Sequence, residues 1–342
     1  MDIRTAIKKV TSCEHLTAEE MTQVMHDIMS GKTTDAQNAA FLVGLQMKGV
    51  QVDELLGGAV VMRELATGVE LGPHDHLVDT CGTGGSGSNK FNVSTAAALV
   101  AACAGARVAK HGNRGATSKS GSADVLEAAG VNLAINAQQA AETIEQVNVG
   151  FMFAPSHHSA MKHVIAARKE IGVRTVFNLL GPLTNPAGAP NQVIGVFDAS
   201  WIPTLLQVLK QLGSNHVLIV SADDGLDEIS ISAQTTVGEL KDGVISRYRI
   251  SPEDFGLPLY DDYSMLQIDS AQQSLDMLRA ALVYDNVPAA EIVALNAGAA
   301  IYAADLCDDL GAGVQRARDV LKSGAALEKL EELARFTQAF AA

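Results

Sequence analysis

Two glycine- and hydroxyl-rich stretches, Cys81–Thr95 (CGTGGSGSNKFNVST) and Lys110–Asp124 (KHGNRGATSKSGSAD), carry the side chains best suited to chemistry in this chain. Each follows a short strand-like run, Leu77–Asp79 or Arg107–Ala109, and each leads into a helical pattern. Glycine admits positive φ angles and close approach, so successive backbone amides in such loops can converge on anionic oxygens. Two such loops, one helix apart, suit an extended ligand bearing more than one phosphate. Asn92-Val93-Ser94-Thr95 stands where the helix after the first loop should begin. Asn92 or Ser94 is its expected N-cap, and the free amides of that helix end favour phosphate oxygens. In the second loop Lys110, His111, Asn113 and Arg114 offer charge and directional donors to an anion.

An acidic cluster, Asp223-Asp224-Gly225-Leu226-Asp227-Glu228, follows the strand-like run Val217–Val220. Paired carboxylates with room for water and phosphate oxygens are what Mg²⁺ uses. A solvated acidic turn is the plain alternative, and the phosphate loops tip the reading towards metal. The histidines His74/His76 and His157/His158/His163 lack a closed zinc-ligand pattern. Gly82, Gly84 and Gly87 also satisfy GxGxxG, which raises an NADP-binding fold and, beside it, a purely structural glycine turn. Against a dinucleotide fold, helical periodicity starts only near Val93, and the second strand ends in Lys110-His111 instead of an acid.

These residues need a scaffold, and the rest of the chain outlines one. Its 342 residues are 47% hydrophobic, only 19% charged and 4% aromatic, so Ala, Val and Leu must build a large core. The first seventy or so residues read as short helices, with capping boxes at Thr17/Glu20 and Thr34/Gln37. From Leu77 the pattern alternates strand and helix, which implies a largely parallel sheet covered by helices. Thr236–Ile250 alternates like a hairpin around Asp242-Gly243, and Gln272–Leu282, Ala289–Leu306 and Val314–Phe340 read as a helical tail. The formal charge of −14 argues against a nucleic-acid surface. Four cysteines without CxxC spacing, no signal-peptide core and no apolar stretch long enough to span a bilayer fit a cytoplasmic protein without membrane partners.

Taken together, GTGG, FNVSTA, KHGNR, SGSADVLEA, HHSAMKHV, VRTVFNLLGPLTNPA and GLDEIS resemble, in this order, the anthranilate phosphoribosyltransferases. The resemblance covers nearly the whole chain. It implies an α/β fold: a small N-terminal helical domain (1–72, joined by part of 165–190) and a large α/β domain (73–164 and 191–342) with a mostly parallel central sheet. It implies transfer of a phosphoribosyl group from 5-phosphoribosyl 1-pyrophosphate to anthranilate, with Mg²⁺ and a homodimer formed through the helical domain. Carried over by position, Gly82, Gly85, Ser86, Lys90, Asn92, Val93, Ser94, Thr95, Lys110, His111, Gly112, Asn113, Arg114, Gly115, Ala116, Thr117, Ser118 and Ser122 would meet phosphoribosyl pyrophosphate. Gly82, His111, Asn113, His158, Arg168, Gly181 and Pro182 would meet anthranilate, and Ser94, Asp227 and Glu228 the metal. Lys110, Arg168 and Asn113 are the residues expected to carry catalysis.

Three positions depart from the family pattern. Ser86 stands where the family usually has Asp, Lys90 where a threonine or similar residue is usual, and His157-His158-Ser159 replaces His-His-Pro. The first two shift local charge towards positive, so altered Mg²⁺ dependence or substrate affinity is expected. A pyrimidine nucleoside phosphorylase, a phosphoribosyltransferase with another acceptor and a non-catalytic nucleotide-binding regulator are the alternatives on the same scaffold.

Overall fold

A computed structural model describes residues 1–73, 75–85, 87–115 and 118–341. His74, Ser86, Ala116, Thr117 and Ala342 lie outside the described residues.

The N-terminal quarter folds as four helices, α1 (Ile3–Thr11), α2 (Ala18–Met29), α3 (Asp35–Lys48) and α4 (Val52–Glu64). Thr17 and Thr34 cap α2 and α3 through the expected reciprocal bonds with Glu20 and Gln37. Met21, Val24, Met25 and Ile28 on α2 bury one stripe that packs on α4, in one core with Phe41, Leu42 and Leu45 of α3 and Leu55 and Ala59 of α4. Between α3 and α4, the Lys48 side chain is buried and pairs with Glu54 at 2.7 Å, and Glu54 also accepts from the Leu16 amide.

The remainder winds around one sheet. In chain order come β1 (Leu77–Gly82), α5 (Val93–Cys103), β2 (Arg107–Gly112), α6 (Ser122–Ala128), α7 (Ala137–Val147) and β3 (Val149–Phe153). A long excursion then holds α8 (Ala154–His157), α9 (Ile165–Ile171) and α10 (Val176–Leu180) before β4 (Asn191–Gly195), α11 (Ile202–Gln211) and β5 (His216–Ala222). The hairpin β6 (Thr235–Lys241) and β7 (Val244–Ile250) turns at Asp242-Gly243, both with positive φ, which is the twist a two-residue hairpin needs. Helices α12 (Ala271–Leu282), α13 (Val287–Ala303), α14 (Leu310–Ser323) and α15 (Ala325–Gln338) complete the chain. The expected single tail helix over 314–340 is divided, because Gly324 adopts a left-handed φ of 76° that ends α14.

The sheet order is β3-β2-β1-β4-β5-β6-β7, parallel from β3 to β5 and antiparallel beyond. The strand order therefore reverses between β1 and β4. In a doubly wound sheet the crevice outside the carboxyl ends of the strands at that reversal is where ligands bind. Helices α5, α13 and α14 cover one face with small apolar residues, and α11 with α4 contributes to the other. The excursion between β3 and β4 packs on the helical bundle: Asn38 donates to the His163 carbonyl at 3.1 Å and Arg63 to the Leu183 carbonyl at 2.7 Å. Among the described residues, no helix is long and apolar enough to cross a membrane, and all four cysteines are free.

Candidate active site

The crevice at the sheet reversal opens where Gly82 of β1 pairs with Gly195 of β4. Beyond Gly82 the chain turns through Gly84, Gly85 and Gly87, all at positive φ, as a loop of converging amides requires. Arg174, in the excursion, stacks its guanidinium 4.0 Å from the Phe197 ring centroid and donates to the Gly85 carbonyl at 2.6 Å. This is a cross-link from the bundle side onto the glycine loop.

Helix α5 then presents its first turn to the crevice. Asn92 occupies the N-cap position but makes no capping bond, contrary to expectation. Its side-chain carbonyl instead accepts from Ser120 at 2.9 Å and Ser274 at 2.7 Å, tying the two loops and α12 together. Ser94 lies at the cavity wall, whereas Thr95 sits one position deeper and its hydroxyl is buried without a partner among the described residues.

Lys110, His111 and Gly112 differ from the sequence expectation in being the last residues of strand β2, not loop residues. Strand pairing fixes them. The Lys110 ammonium, only 2% exposed, donates to the Thr80 carbonyl and, at 3.1 Å, to the Ser94 hydroxyl. Beneath it Asp79 is fully buried, accepting from the His111 amide at 3.2 Å and from Asn185 at 2.8 Å. Burial pushes the Asp79 carboxyl up and the Lys110 ammonium down, and each charge offsets part of the other's cost. Arg114 takes a different place from a free anion donor: it pairs with Glu127 at 2.7 Å and Asp124 at 3.1 Å, at the cavity rim.

The acidic cluster splits in two. Asp223 pairs with Arg249, and Asp224 accepts from Ser230 at 2.5 Å and Ser232 at 2.7 Å, so both serve the local turn. Asp227 and Glu228 face the crevice, where Lys90 reaches Asp227 at 2.5 Å and Glu228 at 3.8 Å. Burial pushes the Glu228 carboxyl up to about 7, although Lys90 pulls the other way. Burial also works against the Lys90 ammonium, but Asp227 and then Glu228 outweigh it and hold Lys90 above its ordinary value. The donor set suits a hard divalent cation such as Mg²⁺. Two adjacent carboxylates line the cavity beside the Ser94 hydroxyl. Among the described residues no three His, Cys, Asp or Glu form a closed cage, so water and phosphate oxygens would complete the shell.

Two cavities share this crevice. The first, about 330 Å³, is lined by Gly85, Lys90, Asn92, Val93, Ser94, Gly112, Asn113, Gly115, Ser118, Ser122, Asp227 and Glu228, among others. The second, about 400 Å³ and more apolar, runs under the excursion and is lined by His158, Arg168, Phe177, Gly181 and Pro182. They meet along Cys81, Gly82, Thr83, His111, Gly112, Asn113 and Asn178, which line both. The His111 and His158 rings lie 5.1 Å apart in this second cavity, each with a buried Nε2 that has no partner among the described residues. Burial, reinforced by neighbouring histidines, lowers His111 to about 3 and His158 to about 4, so both are neutral at pH 7. Arg168 stacks over Phe177 at 5.3 Å and gives this cavity a guanidinium.

Comparison with known proteins agrees along the whole chain. Residues 4–66 match the glycosyl transferase family helical bundle domain, and residues 74–327 match the glycosyl transferase family a/b domain. The anthranilate phosphoribosyltransferase of Thioalkalivibrio sulfidiphilus is 57% identical over 337 residues, covering 98% of this chain and 99% of the relative. That of Hahella chejuensis is 56% identical over 344 residues, covering 99% of each. The chain belongs to the anthranilate phosphoribosyltransferase family. The crystal structure of the Thermus thermophilus enzyme superposes with a TM-score of 0.91 at 41% identity, covering 97% of this chain and 99% of that one. The Saccharomyces cerevisiae anthranilate phosphoribosyltransferase, in complex with PRPP and Mg, gives a TM-score of 0.89 at 26% identity, covering 98% of both.

Among the residues that motif reading misses are Arg174, Asn178 and Ser120, all at the first cavity. Arg174 and Asn178 belong to the VRTVFN motif, whose part in the crevice depends on the excursion folding back over β1. Ser120 opens the SGSAD motif, and its partner Asn92 is the residue the sequence marks as a helix start.

Proposed function

We propose that this protein transfers the phosphoribosyl group from 5-phosphoribosyl 1-pyrophosphate to the amine of anthranilate, giving N-(5-phosphoribosyl)anthranilate and pyrophosphate, a step of tryptophan biosynthesis. The observation that carries this reading is the shared seam. An anion-suited cavity and an aromatic-sized cavity touch, among the described residues, along Cys81, Gly82, Thr83, His111, Gly112, Asn113 and Asn178, so two ligands would meet there.

In this reading the amides of the glycine loop and the first turn of α5 hold the phosphates, and Lys110 orients Ser94 towards them. Asp227 and Glu228, with Ser94, would hold Mg²⁺. When bound, the metal supplies charge neutralisation to the leaving pyrophosphate. Arg168 is suited to pair with the anthranilate carboxylate, and its stacking on Phe177 limits how far the fork can swing. The neutral imidazoles of His111 and His158 offer that ligand polar contacts without a competing positive charge. Asn113 stands at the seam, where the amine would approach the ribose C1.

An aromatic amine is unprotonated at pH 7, so its lone pair needs no strong base to expose it. Catalysis then rests on positioning and on stabilising the departing charge, both of which a preformed site can provide. The packing of α9 and α10 on α3 and α4 supports assigning part of 165–190 to the helical domain, with 1–72. A cytoplasmic homodimer formed through that domain completes the proposal; Met47 on α3, 83% exposed, is an apolar group such a contact would cover. Pyrophosphate release measured with both substrates and Mg²⁺, and again without anthranilate, tests the reading. Release that ignores anthranilate would defeat it.

A further inference from the structure

Lys90 is held in place by more than its side chain. Its backbone forms an antiparallel bridge with Gln267, flanked by bonds from the Phe91 amide to the Leu266 carbonyl at 3.0 Å and from the Ile268 amide to the Asn89 carbonyl at 2.8 Å. Phe91, fully buried, anchors the segment from below, and Gln267 donates to the Ser88 carbonyl at 3.3 Å. The ammonium so positioned lies 2.5 Å from Asp227 and 3.8 Å from Glu228, and the three side chains are only 11%, 9% and 13% exposed. A divalent cation would need these same carboxylate oxygens at about 2.0–2.6 Å. An ammonium and a divalent cation sharing one poorly solvated carboxylate repel each other strongly, since screening by water is weak there.

We infer that Lys90 is a resident counter-ion of the Asp227–Glu228 pair, which excludes divalent metal from the substrate-free protein. The pair accepts a metal ion only when an incoming diphosphate draws the ammonium away. The inference rests on the reading of this crevice as a diphosphate and metal site. It gives binding an order: metal enters with, or after, the diphosphate and not before it. Lys90 acts here as a positioning residue with two alternative anionic partners, the carboxylates of the protein and the oxygens of the ligand.

The test uses Mn²⁺ as the probe, with free Mn²⁺ read by electron paramagnetic resonance on the full chain. Without substrate, Lys90→Thr should bind one Mn²⁺ at least about tenfold more tightly than the wild type. The gain should vanish in Lys90→Thr/Asp227→Asn. Lys90→Arg, which keeps the charge, should behave as the wild type does. With phosphoribosyl pyrophosphate present, wild type and Lys90→Thr should converge. Should Lys90→Thr not fold, Lys90→Gln supports the same comparison, because it removes the charge and keeps a donor. Equal Mn²⁺ affinity of wild type and variant without substrate would overturn the role of Lys90 and leave the metal reading intact. No Mn²⁺ uptake by either protein, even with phosphoribosyl pyrophosphate, would remove the metal reading as well.

Discussion

Gly195 and Asp227 touch through their backbones: a Cβ built on Gly195 would collide with the Asp227 carbonyl oxygen. The end of β4 thus acts as a stop against which the acidic turn rests. That turn cannot retreat. The Ala222 amide holds the Leu226 carbonyl at 3.0 Å, and Asn296 brackets Ile229 with bonds at 2.9 Å to its carbonyl and from its amide.

Gly195→Ala is therefore expected to displace Asp227 and Glu228, not merely fill space. Stability should fall by about 1–3 kcal/mol, the usual cost of overpacking. Affinity for phosphoribosyl pyrophosphate should fall further than affinity for anthranilate. Thermal unfolding and separate titrations of the two ligands check both parts.

Arg168→Ala should raise the KM for anthranilate by roughly ten- to a hundredfold, the worth of a hydrogen bond to a charged group at about 1.5–3 kcal/mol. The KM for phosphoribosyl pyrophosphate should change little, since Arg168 lines the second cavity and not the first. Equal rises in steady-state kinetics would reassign the residue.

Arg174→Ala should loosen the glycine loop by freeing the Gly85 carbonyl and abolishing the stack on Phe197. We expect a several-fold higher KM for phosphoribosyl pyrophosphate and faster amide hydrogen exchange at Thr83–Gly85. Lys at this position should not restore either, because an ammonium cannot reproduce the planar stack and fork.

The histidine pair gives a pH dependence of defined sign. Folding holds His111 near 3 and His158 near 4, below the ordinary 6.5, so the unfolded chain binds protons that the folded one refuses. Stability contributed by these groups is complete above about pH 6.5 and declines as pH falls towards 4, by up to about 1.4 kcal/mol per pH unit for each histidine. Urea unfolding at pH 7 and pH 5 should show a smaller loss in His111→Gln and His158→Gln than in the wild type.

The features legible in the sequence are those whose causes are local. Capping boxes at Thr17 and Thr34, the Asp242-Gly243 hairpin and the two glycine stretches each depend on residues a few positions apart. Strand ends read short, since Lys110, His111 and Gly112 owe their extended form to pairing with Phe151, Met152 and Phe153. Asn92 is legible as a helix start, yet its side chain is claimed by Ser274, 182 residues on. The contact of Lys90 with Asp227 spans 137 residues. The charge change at Lys90 is visible in the chain, but its target among the nearby anions depends on how the sheet gathers the turn after β5 and the loop after β1 at one crevice.

Apart from Met62 and the residues of the seam, every side chain lining the second cavity comes from one uninterrupted piece of chain, Ala154 to Thr184. The sugar-phosphate half of the crevice is instead assembled from several distant pieces. Acceptor preference is therefore modular. A graft of that single piece from a homologue with a different aromatic partner, keeping Arg174 and Asn178 because they also line the donor half, would rewrite which amine is taken up.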